Sequence, residues 1–568
     1  MIKNRFKTEF AETIFRTKYA QGPNDSWDAL AERLVEDVCG SRWGTQPILM
    51  SESDRKGLAE HIREMRFIPG GRYLYYAGRP YKAFNNCYLL RAEEDTREEW
   101  SAVTWRAMSC LMTGGGIGID YSRLRPAGRV LSRTGGVASG PIPLMYAINE
   151  IGRNVMQGGS RRSAIYASLN WQHEDIPAFL TAKNWIPAIR AMKEQDFNFP
   201  APLDMTNISV NYDDAALLNL GGHNPNPVIT KHNEYNTFIN CLEKNPVFLQ
   251  NCRQAMETGE PGFSFNFGNK QNETLRNACT EVTSEDDSDV CNLGSINLGN
   301  IHSLEEFKQV IELASKFLVC GTLRADLPYE KVYKVREKNR RLGLGLMGIH
   351  EWLLQRGQKY EVTNELKEWL EVYRTESERS ANEHCDRFYI SRPVAYRAIA
   401  PTGTIGILAS TTTGIEPLFA VAYKRRFLTD GTKWKYSYVV DATADRLIKE
   451  YGINPDSIDT AYKLSNDYER RIKFQADVQD YVDMSISSTI NLPAWGSSGN
   501  NEKQVEKFAK TLAEFAPRLR GFTCYPDGSR GGQPITECDY NEALKHKGTV
   551  FEEHDVCDIT GHGGSCGV

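Results

Sequence analysis

The sequence has no run of about 18 or more apolar residues, the length that a membrane-spanning helix requires. Its first residues, MIKNRFKTEFAETIF, show no apolar segment followed by a small-residue cleavage site, which is the pattern of a secretory signal. The 568 residues carry a net charge of only −5, so there is no broad basic field to bind duplex nucleic acid. These absences predict a cytoplasmic protein with no membrane and no nucleic-acid partner.

Closely spaced metal-ligand pairs are also missing around the cysteines. Zinc sites use pairs such as CxxC, or histidines at metal spacing, and Cys87, Cys279 and Cys291 have no such neighbours. The 13 cysteines are an odd number and are scattered along a large chain, unlike the framework of a secreted disulfide-rich protein. We therefore expect mostly reduced thiols and predict no metal site.

What is present indicates one large α/β unit. Hydrophobic residues make up 40% of the chain, enough for a substantial core. Residues 1–65 have helical apolar spacing, as in SWDALAERLVEDVCG, where Gly40 predicts the stop. From about 84 to 525, short apolar runs alternate with helical segments and glycine-rich turns, without a clear linker. This rhythm predicts a barrel or a doubly wound sheet, and beyond residue 526 the Gly-, His- and Cys-containing tail is predicted to be mobile.

Three glycine-rich stretches could contact phosphate. They are TGGGIGIDYSRLRPAG (113–128), QGGSRRSA (157–164) and APTGTIGILASTTTGIEP (400–417). Glycine allows a close backbone approach, and exposed N–H groups can bind phosphate. None is a GxGxxG or Walker motif. The alternatives are a plain tight turn in the first stretch, solvated surface arginines in the second and a threonine-capped strand-to-helix turn in the third.

The segment RNACTEVTSEDDSDVCNLGSINL (276–298) places two cysteines near an acidic run. Taken alone, Cys279 and Cys291 could be a metal clip, a disulfide, packing residues or catalytic groups. In NACTE, the residues Asn277, Cys279 and Glu281 alternate, so an extended backbone would direct all three side chains to one face. An amide, a thiol and a carboxylate together are unusual in a core but suitable for moving protons and hydrogen atoms.

Taken together, these stretches make the sequence resemble the catalytic subunit of ribonucleotide reductases, which convert ribonucleotides to deoxyribonucleotides by radical chemistry. The resemblance spans roughly residues 66–534. The matching stretches, in chain order, are FNNCYLL, TGGGIGIDYSRLRPAG, TGGVASGPIPLM, QGGSRRSA, NACTE, CNLGSINL, NRRLGLGLMGIHEWL, APTGTIGILASTTTGIEPLF and GFTCYPDGSRGGQP. Each is modest alone, whereas the ordered set is specific.

The resemblance implies a fold and a set of catalytic residues. The fold would be a ten-stranded α/β barrel of two half-barrels with a central finger loop (66–534), between a helical N-terminal region without an ATP cone (1–65) and a flexible tail (535–568). Cys279 would form the thiyl radical that removes the ribose 3′ hydrogen, Glu281 would act as base on the 3′-hydroxyl, and Asn277 would hold the hydroxyl network. Cys87 and Cys291 would be the reducing pair that ends as a disulfide.

The resemblance also implies nucleotide sites and a homodimer. The substrate pocket would be lined by Asn86, Gly116, Pro401, Thr402, Gly403, Thr404 and Ile405. Asn86 departs from the serine often found before the reducing cysteine in the family. A deoxynucleotide effector would bind at the dimer interface through Asp95, Arg125, Arg161 and Arg162.

The radical source implied by the resemblance is adenosylcobalamin. The branch that uses a metal-containing partner subunit has paired tyrosines late in the barrel, whereas the only adjacent pair here is Tyr75–Tyr76, and the late segment reads GFTCYPDGSRGGQP. The segment GHGGSCGV does not fit the glycyl-radical branch. A class I-type subunit and a non-catalytic nucleotide-binding regulatory protein are the alternatives.

The tail would carry thiols that re-reduce the active-site pair. Cys557 and Cys566 are predicted to shuttle electrons from a thioredoxin- or glutaredoxin-like reductant, with Cys538 as a rival. The sequence leaves diphosphate and triphosphate substrates both open.

Overall fold

The computed structural model describes residues 5–41, 46–132, 134–155, 163–196, 199–218, 242–429, 433–529 and 535–552. Its strands are β1 (Phe67–Pro69), β2 (Cys87–Arg91), β3 (Gly116–Asp120), β4 (Ile165–Asn170), β5 (Thr206–Tyr212), β6 (Gly262–Phe265), β7 (Leu275–Arg276), β8 (Thr283–Ser284), β9 (Asp289–Asn297), β10 (Leu342–Met347), β11 (Ala422–Thr429), β12 (Lys433–Val440), β13 (Thr489–Leu492), β14 (Gly521–Pro526), β15 (Ile535–Glu537) and β16 (Val550–Glu552).

The helices of the described residues alternate with these strands. They are α1 (Glu9–Lys18), α2 (Trp27–Val38), α3 (Glu52–Arg63), α4 (Gly71–Tyr76), α5 (Arg97–Met112), α6 (Ile142–Asn154), α7 (Ile176–Leu180), α8 (Pro187–Gln195), α9 (Asp214–Leu218), α10 (Pro246–Thr258), α11 (Leu304–Arg324), α12 (Glu330–Asn339), α13 (Ile349–Gln355), α14 (Asn364–Arg387), α15 (Gly403–Ala409), α16 (Ala442–Tyr451), α17 (Ala461–Leu464), α18 (Tyr468–Gln479), α19 (Val505–Phe515) and α20 (Tyr540–Lys545).

The three N-terminal helices begin at polar capping residues. Thr8, Ser26 and Ser51 each accept a hydrogen bond from the backbone N–H three residues later, which satisfies a donor that the first helical turn leaves open. Their buried faces belong to the same hydrophobic cluster as the barrel, which extends from Phe15 to Cys524. The N-terminal region is therefore packed onto the barrel and shares its core.

The main sheet closes on itself as a barrel of two halves. In the first half, β2, β3, β4, β5 and β6 are parallel neighbours. In the second half, β9 is parallel to β10 and β13 is parallel to β14. The parallel bridges Leu344–Arg397 and Ile399–Ile486 join β10 to the β13 side through a further extended segment. The halves meet in antiparallel pairs, β2 with β9 and β6 with β14. The predicted α/β barrel of two half-barrels is confirmed.

The hairpin β7–β8 and its connecting turn form the finger loop, defined as residues 275–284. It contacts both halves, because a Cβ on Gly116 of β3 would lie 3.0 Å from the Ala278 Cβ, and the Ser485 N–H donates to the Glu281 carbonyl at 2.8 Å. The loop thus lies inside the barrel, where its backbone is held from two sides.

A smaller sheet of four strands, in the order β15-β11-β12-β16, incorporates the start of the predicted tail. Ala543 of α20 is fully buried against this sheet, in a cluster with Tyr436 and Tyr438. The prediction of a flexible tail beginning at residue 535 is therefore wrong for residues 535–552, because strand pairing and apolar burial hold them. No helix among the described residues is long and apolar enough to span a membrane.

Candidate active site

The tip of the finger loop is a tight turn. Thr280 has a positive φ of 69°, and its N–H donates to the Asn277 carbonyl at 3.0 Å. The expectation of an extended segment over 277–281 is therefore wrong. The turn nevertheless brings Asn277, Cys279 and Glu281 to one cavity. Cys279 is exposed, whereas Asn277 and Glu281 are 2% and 1% exposed.

Cys87 and Cys291 lie directly opposite each other on β2 and β9. Opposed residues of antiparallel strands have Cα atoms about 4.5–5.5 Å apart, within the roughly 4.4–6.8 Å that a disulfide spans. Both are thiols, and both are buried. The structure therefore places this pair where a disulfide could close without movement of the strands.

Hydrogen bonds connect Cys87 to the finger loop. The Asn277 Nδ2 donates to the Cys87 Sγ at 3.0 Å, and the Cys87 thiol approaches the Glu281 Oε1 at 3.8 Å. The Val282 N–H donates to the Asn277 Oδ1 at 2.9 Å, which fixes the orientation of the amide. The Cys87 thiol, the Asn277 amide and the Glu281 carboxyl therefore form one contiguous group.

Burial raises the pKa values of these groups and so favours their neutral, protonated forms. It raises the pKa of Glu281 to about 7, partly offset by hydrogen bonding with Asn277. Burial, with Glu281 nearby, also raises the pKa of the Cys87 thiol, and burial with Asp289 nearby raises that of Cys291. The Glu281 Oε2 is buried and has no hydrogen-bond partner among the described residues. The carboxyl can therefore exchange a proton near neutral pH, while the two thiols keep theirs.

The cavity at the finger tip, here the thiol cavity, has a volume of about 340 Å³. Its wall includes every residue that the sequence predicts to contact substrate: Asn86, Gly116, Pro401, Thr402, Gly403, Thr404 and Ile405. α15 begins at Gly403, as in a strand-to-helix turn, but the Thr402 Oγ1 accepts from the Gly414 N–H at 2.8 Å instead of capping the helix. A Cβ on Gly403 would meet nothing within 4 Å, so the wall is open there.

The same wall contains residues that sequence analysis did not identify. Tyr19 comes from the segment after α1, Arg72 from α4, and Ser295 from β9. Arg72 is 6% exposed, and its guanidinium lies where a Cβ on Gly114 would be. Gly70 and Gly71 precede Arg72, and this glycine pair before an arginine was the sequence signal that could have identified Arg72 as a cavity residue. Tyr19 had none, because only tertiary packing brings the N-terminal segment to the cavity.

The predicted effector residues are divided between described and undescribed parts of the chain. Asp95 and Arg125 form an ion pair, in which the Arg125 Nη2 also donates to the Asp95 carbonyl at 3.0 Å. Arg161 and Arg162 lie outside the described residues, as do Cys557 and Cys566. Cys538 is described and half-buried, beside Tyr540 and the four-stranded sheet.

A second cavity, here the hydroxyl cavity, also borders α15 and has a volume of about 890 Å³. It shares Pro401 with the thiol cavity. Its walls combine hydroxyl groups, such as those of Ser410 and Thr443, with apolar side chains such as Leu418 and Phe419. The described residues contain no cluster of three or more acidic, His or Cys side chains that could hold a metal ion.

A barrel with a thiol and a carboxyl on an internal loop, facing an opposed pair of thiols, defines a class of thiol-dependent oxidoreductase barrels. The family model "Ribonucleotide reductase, barrel domain" matches residues 85–199, 237–373 and 392–515. The chain belongs to the ribonucleotide reductase family.

Curated relatives agree with this assignment. A vitamin B12-dependent ribonucleoside-diphosphate reductase of Mycobacterium tuberculosis (strain CDC 1551 / Oshkosh) is 27% identical, over 97% of this chain and 84% of the relative. A protein of the same name from Thermoplasma acidophilum is 26% identical, over 84% of this chain and 66% of the relative. The ribonucleoside-diphosphate reductase subunit alpha of Chlamydia muridarum is 24% identical, over 51% of this chain and 31% of the relative.

Proposed function

We propose that the protein is an adenosylcobalamin-dependent ribonucleotide reductase that generates its own thiyl radical. The observation that carries the proposal is the convergence of Asn277, Cys279, Glu281 and Cys87 on the cavity lined by residues 401–405, with Cys291 opposite Cys87. The names of the Mycobacterium and Thermoplasma relatives support the cofactor and favour ribonucleoside diphosphates as substrates.

In this proposal each group of the thiol cavity has one task. The Cys279 sulfur, as a thiyl radical, takes the 3′ hydrogen of the ribose, and the Glu281 carboxylate accepts the proton of the 3′-hydroxyl. A pKa near 7 lets that carboxyl accept and later return the proton. Asn277 orients the hydroxyl groups and Cys87.

The reducing pair completes the balance of atoms and electrons. Cys87 protonates the departing 2′-hydroxyl, which leaves as water. The two thiols supply two electrons and two protons in total and close as the Cys87–Cys291 disulfide. One proton leaves in the water, and the other, with the two electrons, becomes the new hydrogen on the 2′ carbon. Cys279 then returns its hydrogen to the 3′ carbon, so the sugar loses only the 2′ oxygen.

The substrate phosphates would lie on the wall formed by residues 401–405. The first N–H groups of a helix have no acceptor within the helix, so the backbone at the start of α15 can donate to phosphate oxygens. The open space beside Gly403 leaves room for such a group. The role of Asn86 would be contact with the ribose, since its buried Oδ1 has no hydrogen-bond partner among the described residues.

The hydroxyl cavity fits adenosylcobalamin, which when bound supplies the one-electron chemistry that converts a thiol to a thiyl radical. A corrin ring carries a rim of amides around apolar faces, and this cavity offers hydroxyl groups and apolar side chains together. The Ser410 Oγ lies buried in its wall without a hydrogen-bond partner among the described residues. Its volume of about 890 Å³ and its position beside α15 support a role for this cavity in binding such a group next to the proposed substrate wall.

The remaining roles complete the proposal. Asp95 and Arg125, with Arg161 and Arg162, would bind a deoxynucleotide effector in a homodimer. Cys557 and Cys566 would carry electrons from a thioredoxin-like reductant. The tail would start from β16, which pairs with β12, and β12 lines the hydroxyl cavity through Val439 and Val440.

The decisive experiment uses the purified chain with adenosylcobalamin, a dithiol and a ribonucleoside diphosphate, without a second protein. We expect a deoxynucleotide product, and none from Cys279→Ser. Binding is measured separately, from the amount of hydroxocobalamin that co-elutes with the protein on gel filtration. Activity that appears only with an added metal-containing subunit would identify a class I-type subunit instead. A Cys279→Ser variant with unchanged turnover would contradict the catalytic assignment.

A further inference from the structure

Arg276 is the residue before Asn277, and it is almost completely buried, at 1% exposure. Its guanidinium donates hydrogen bonds to the Leu275 carbonyl at 3.1 Å, the Arg520 carbonyl at 3.1 Å and the Asn266 Oδ1 at 2.7 Å. It also bonds the carbonyls of Phe265 and Glu273. These acceptors are uncharged, so the cation is held by oriented dipoles of three chain segments: the end of β6, the base of the finger loop and the residue before β14.

A cluster of charged side chains around Glu273 also fixes the base of the finger loop. The Glu273 carboxylate accepts from the Arg520 Nη2 at 2.9 Å and from the Thr283 Oγ1 on β8 at 2.7 Å, and Lys270 lies 3.2 Å away. Arg520 therefore bonds Arg276 through its carbonyl and Glu273 through its side chain. Both strands of the finger loop therefore contact this charged cluster, β7 through Arg276 and β8 through Thr283.

The opposite side of the loop is held by a close approach to β3. A Cβ on Gly118 would lie 1.7 Å from the Arg276 carbonyl oxygen. Any side chain at position 118 would therefore displace the loop. The loop backbone at residue 276 is thus confined between the Gly118 position and the acceptors of its own side chain.

We propose that Arg276 is a positioning residue for the Cys279 thiol, and that its guanidinium sets how deeply the finger loop enters the barrel. It touches none of the reacting groups and acts through the backbone of residues 277–281. Two contacts from that stretch, the Asn277 amide and the Glu281 carboxyl, cover Cys87. A loop that loses its anchor should therefore uncover Cys87, which is 3% exposed, in addition to misplacing Cys279.

The experiment measures thiol alkylation of the native, full-length protein by iodoacetamide, followed by peptide mass spectrometry. In the wild type we expect Cys279 to react and Cys87 to be protected. In Arg276→Gln we expect the alkylation rate of Cys87 to rise at least about tenfold through local opening of the loop. The matched control is Arg340→Gln, because Arg340 is also buried, at 3% exposure, but bonds Ser391 and Thr322 away from the loop.

The fully buried Cys252 on α10 reports on the global fold. Faster alkylation of Cys87 with Cys252 still protected supports the proposal. An unchanged rate for Cys87 with Cys252 protected overturns it. If Arg276→Gln also exposes Cys252, the milder Arg276→Lys decides by the same two criteria, because it keeps the positive charge but cannot reach all the acceptors of the guanidinium.

The consequence for turnover rests on the proposed function. With an active wild type, Arg276→Gln should lower kcat at least about tenfold while KM stays within about twofold, because misplacement of a reacting group is costly and the 401–405 wall is untouched. A fall in kcat that is matched by a similar rise in KM would contradict this part. A wild type without reductase activity would overturn the proposed function and leave the alkylation result standing.

Discussion

The carboxyl of Glu281 should make the folded protein less stable as the pH rises. Its pKa is raised by burial from 4.5 to about 7, so the folded state holds a proton that the unfolded state has already released. The contribution of this carboxyl to stability is therefore most favourable below about pH 4.5 and becomes destabilising between about pH 4.5 and pH 7. At 1.36 kcal/mol per pKa unit, the cost above pH 7 reaches about 3 kcal/mol.

Replacing this carboxyl by an amide removes the cost. We expect Glu281→Gln to be inactive, yet to gain stability relative to the wild type as the pH rises, by up to about 3 kcal/mol at about pH 8. The assay is the difference in thermal unfolding midpoint between variant and wild type, followed by scanning fluorimetry from about pH 5 to about pH 8.5. The change of this difference with pH is the diagnostic quantity. A lost or gained hydrogen bond would shift the unfolding midpoint of the variant by the same amount at low and at high pH.

Glu273 provides a control of opposite sign. Burial alone would raise its pKa, but Arg520, Arg341 and Lys270 lower it to about 2. Its contribution to stability is present above the unfolded value near 4.5 and is lost as the pH falls toward 2, so Glu273→Gln should be destabilised at every pH of the scan. A difference for Glu281→Gln that stays flat between about pH 5 and pH 8 would refute the reasoning, since a carboxyl with an ordinary pKa is ionised throughout that range.

Three further outcomes follow from the thiol cavity and the proposed effector residues. Gly403→Ala places a methyl group in the open part of the proposed substrate wall and should raise KM about tenfold. Gly136→Ala, whose added methyl group also meets nothing within 4 Å, should leave KM unchanged. Without added reductant, a variant in which Cys538, Cys557 and Cys566 are replaced by serine should form about one product per active site and a Cys87–Cys291 disulfide visible by peptide mass spectrometry. The same variant with Cys291→Ser added should form neither. Arg125→Ala breaks the ion pair with Asp95 and should weaken deoxynucleotide binding about tenfold in equilibrium dialysis, and unchanged binding would exclude Arg125 from the effector site.

The barrel and the identities of its chemical groups could be predicted from the sequence. Short β-rich runs separated by helical periods indicate parallel strands with crossover helices, because each period matches the geometry of one kind of element. The triplet of amide, thiol and carboxyl at 277–281 indicated chemistry, because polar groups of that kind are costly in an apolar core. The glycine-rich segment at 401–405 indicated a wall open to a ligand.

Other features were decided by tertiary structure alone. The turn at Thr280, the cover of Asn277 over Cys87 and the raised pKa of Glu281 all depend on burial inside the barrel, which no local pattern encodes. Tyr19 reaches the thiol cavity only because the N-terminal helices share the core of the barrel. Residues 535–552 look like a loose tail in sequence, yet they pair with β11 and β12, because strand pairing between distant segments is set by the partner available in space. Local composition thus determined which groups the chain carries, and long-range packing determined how they are placed and how acidic they are.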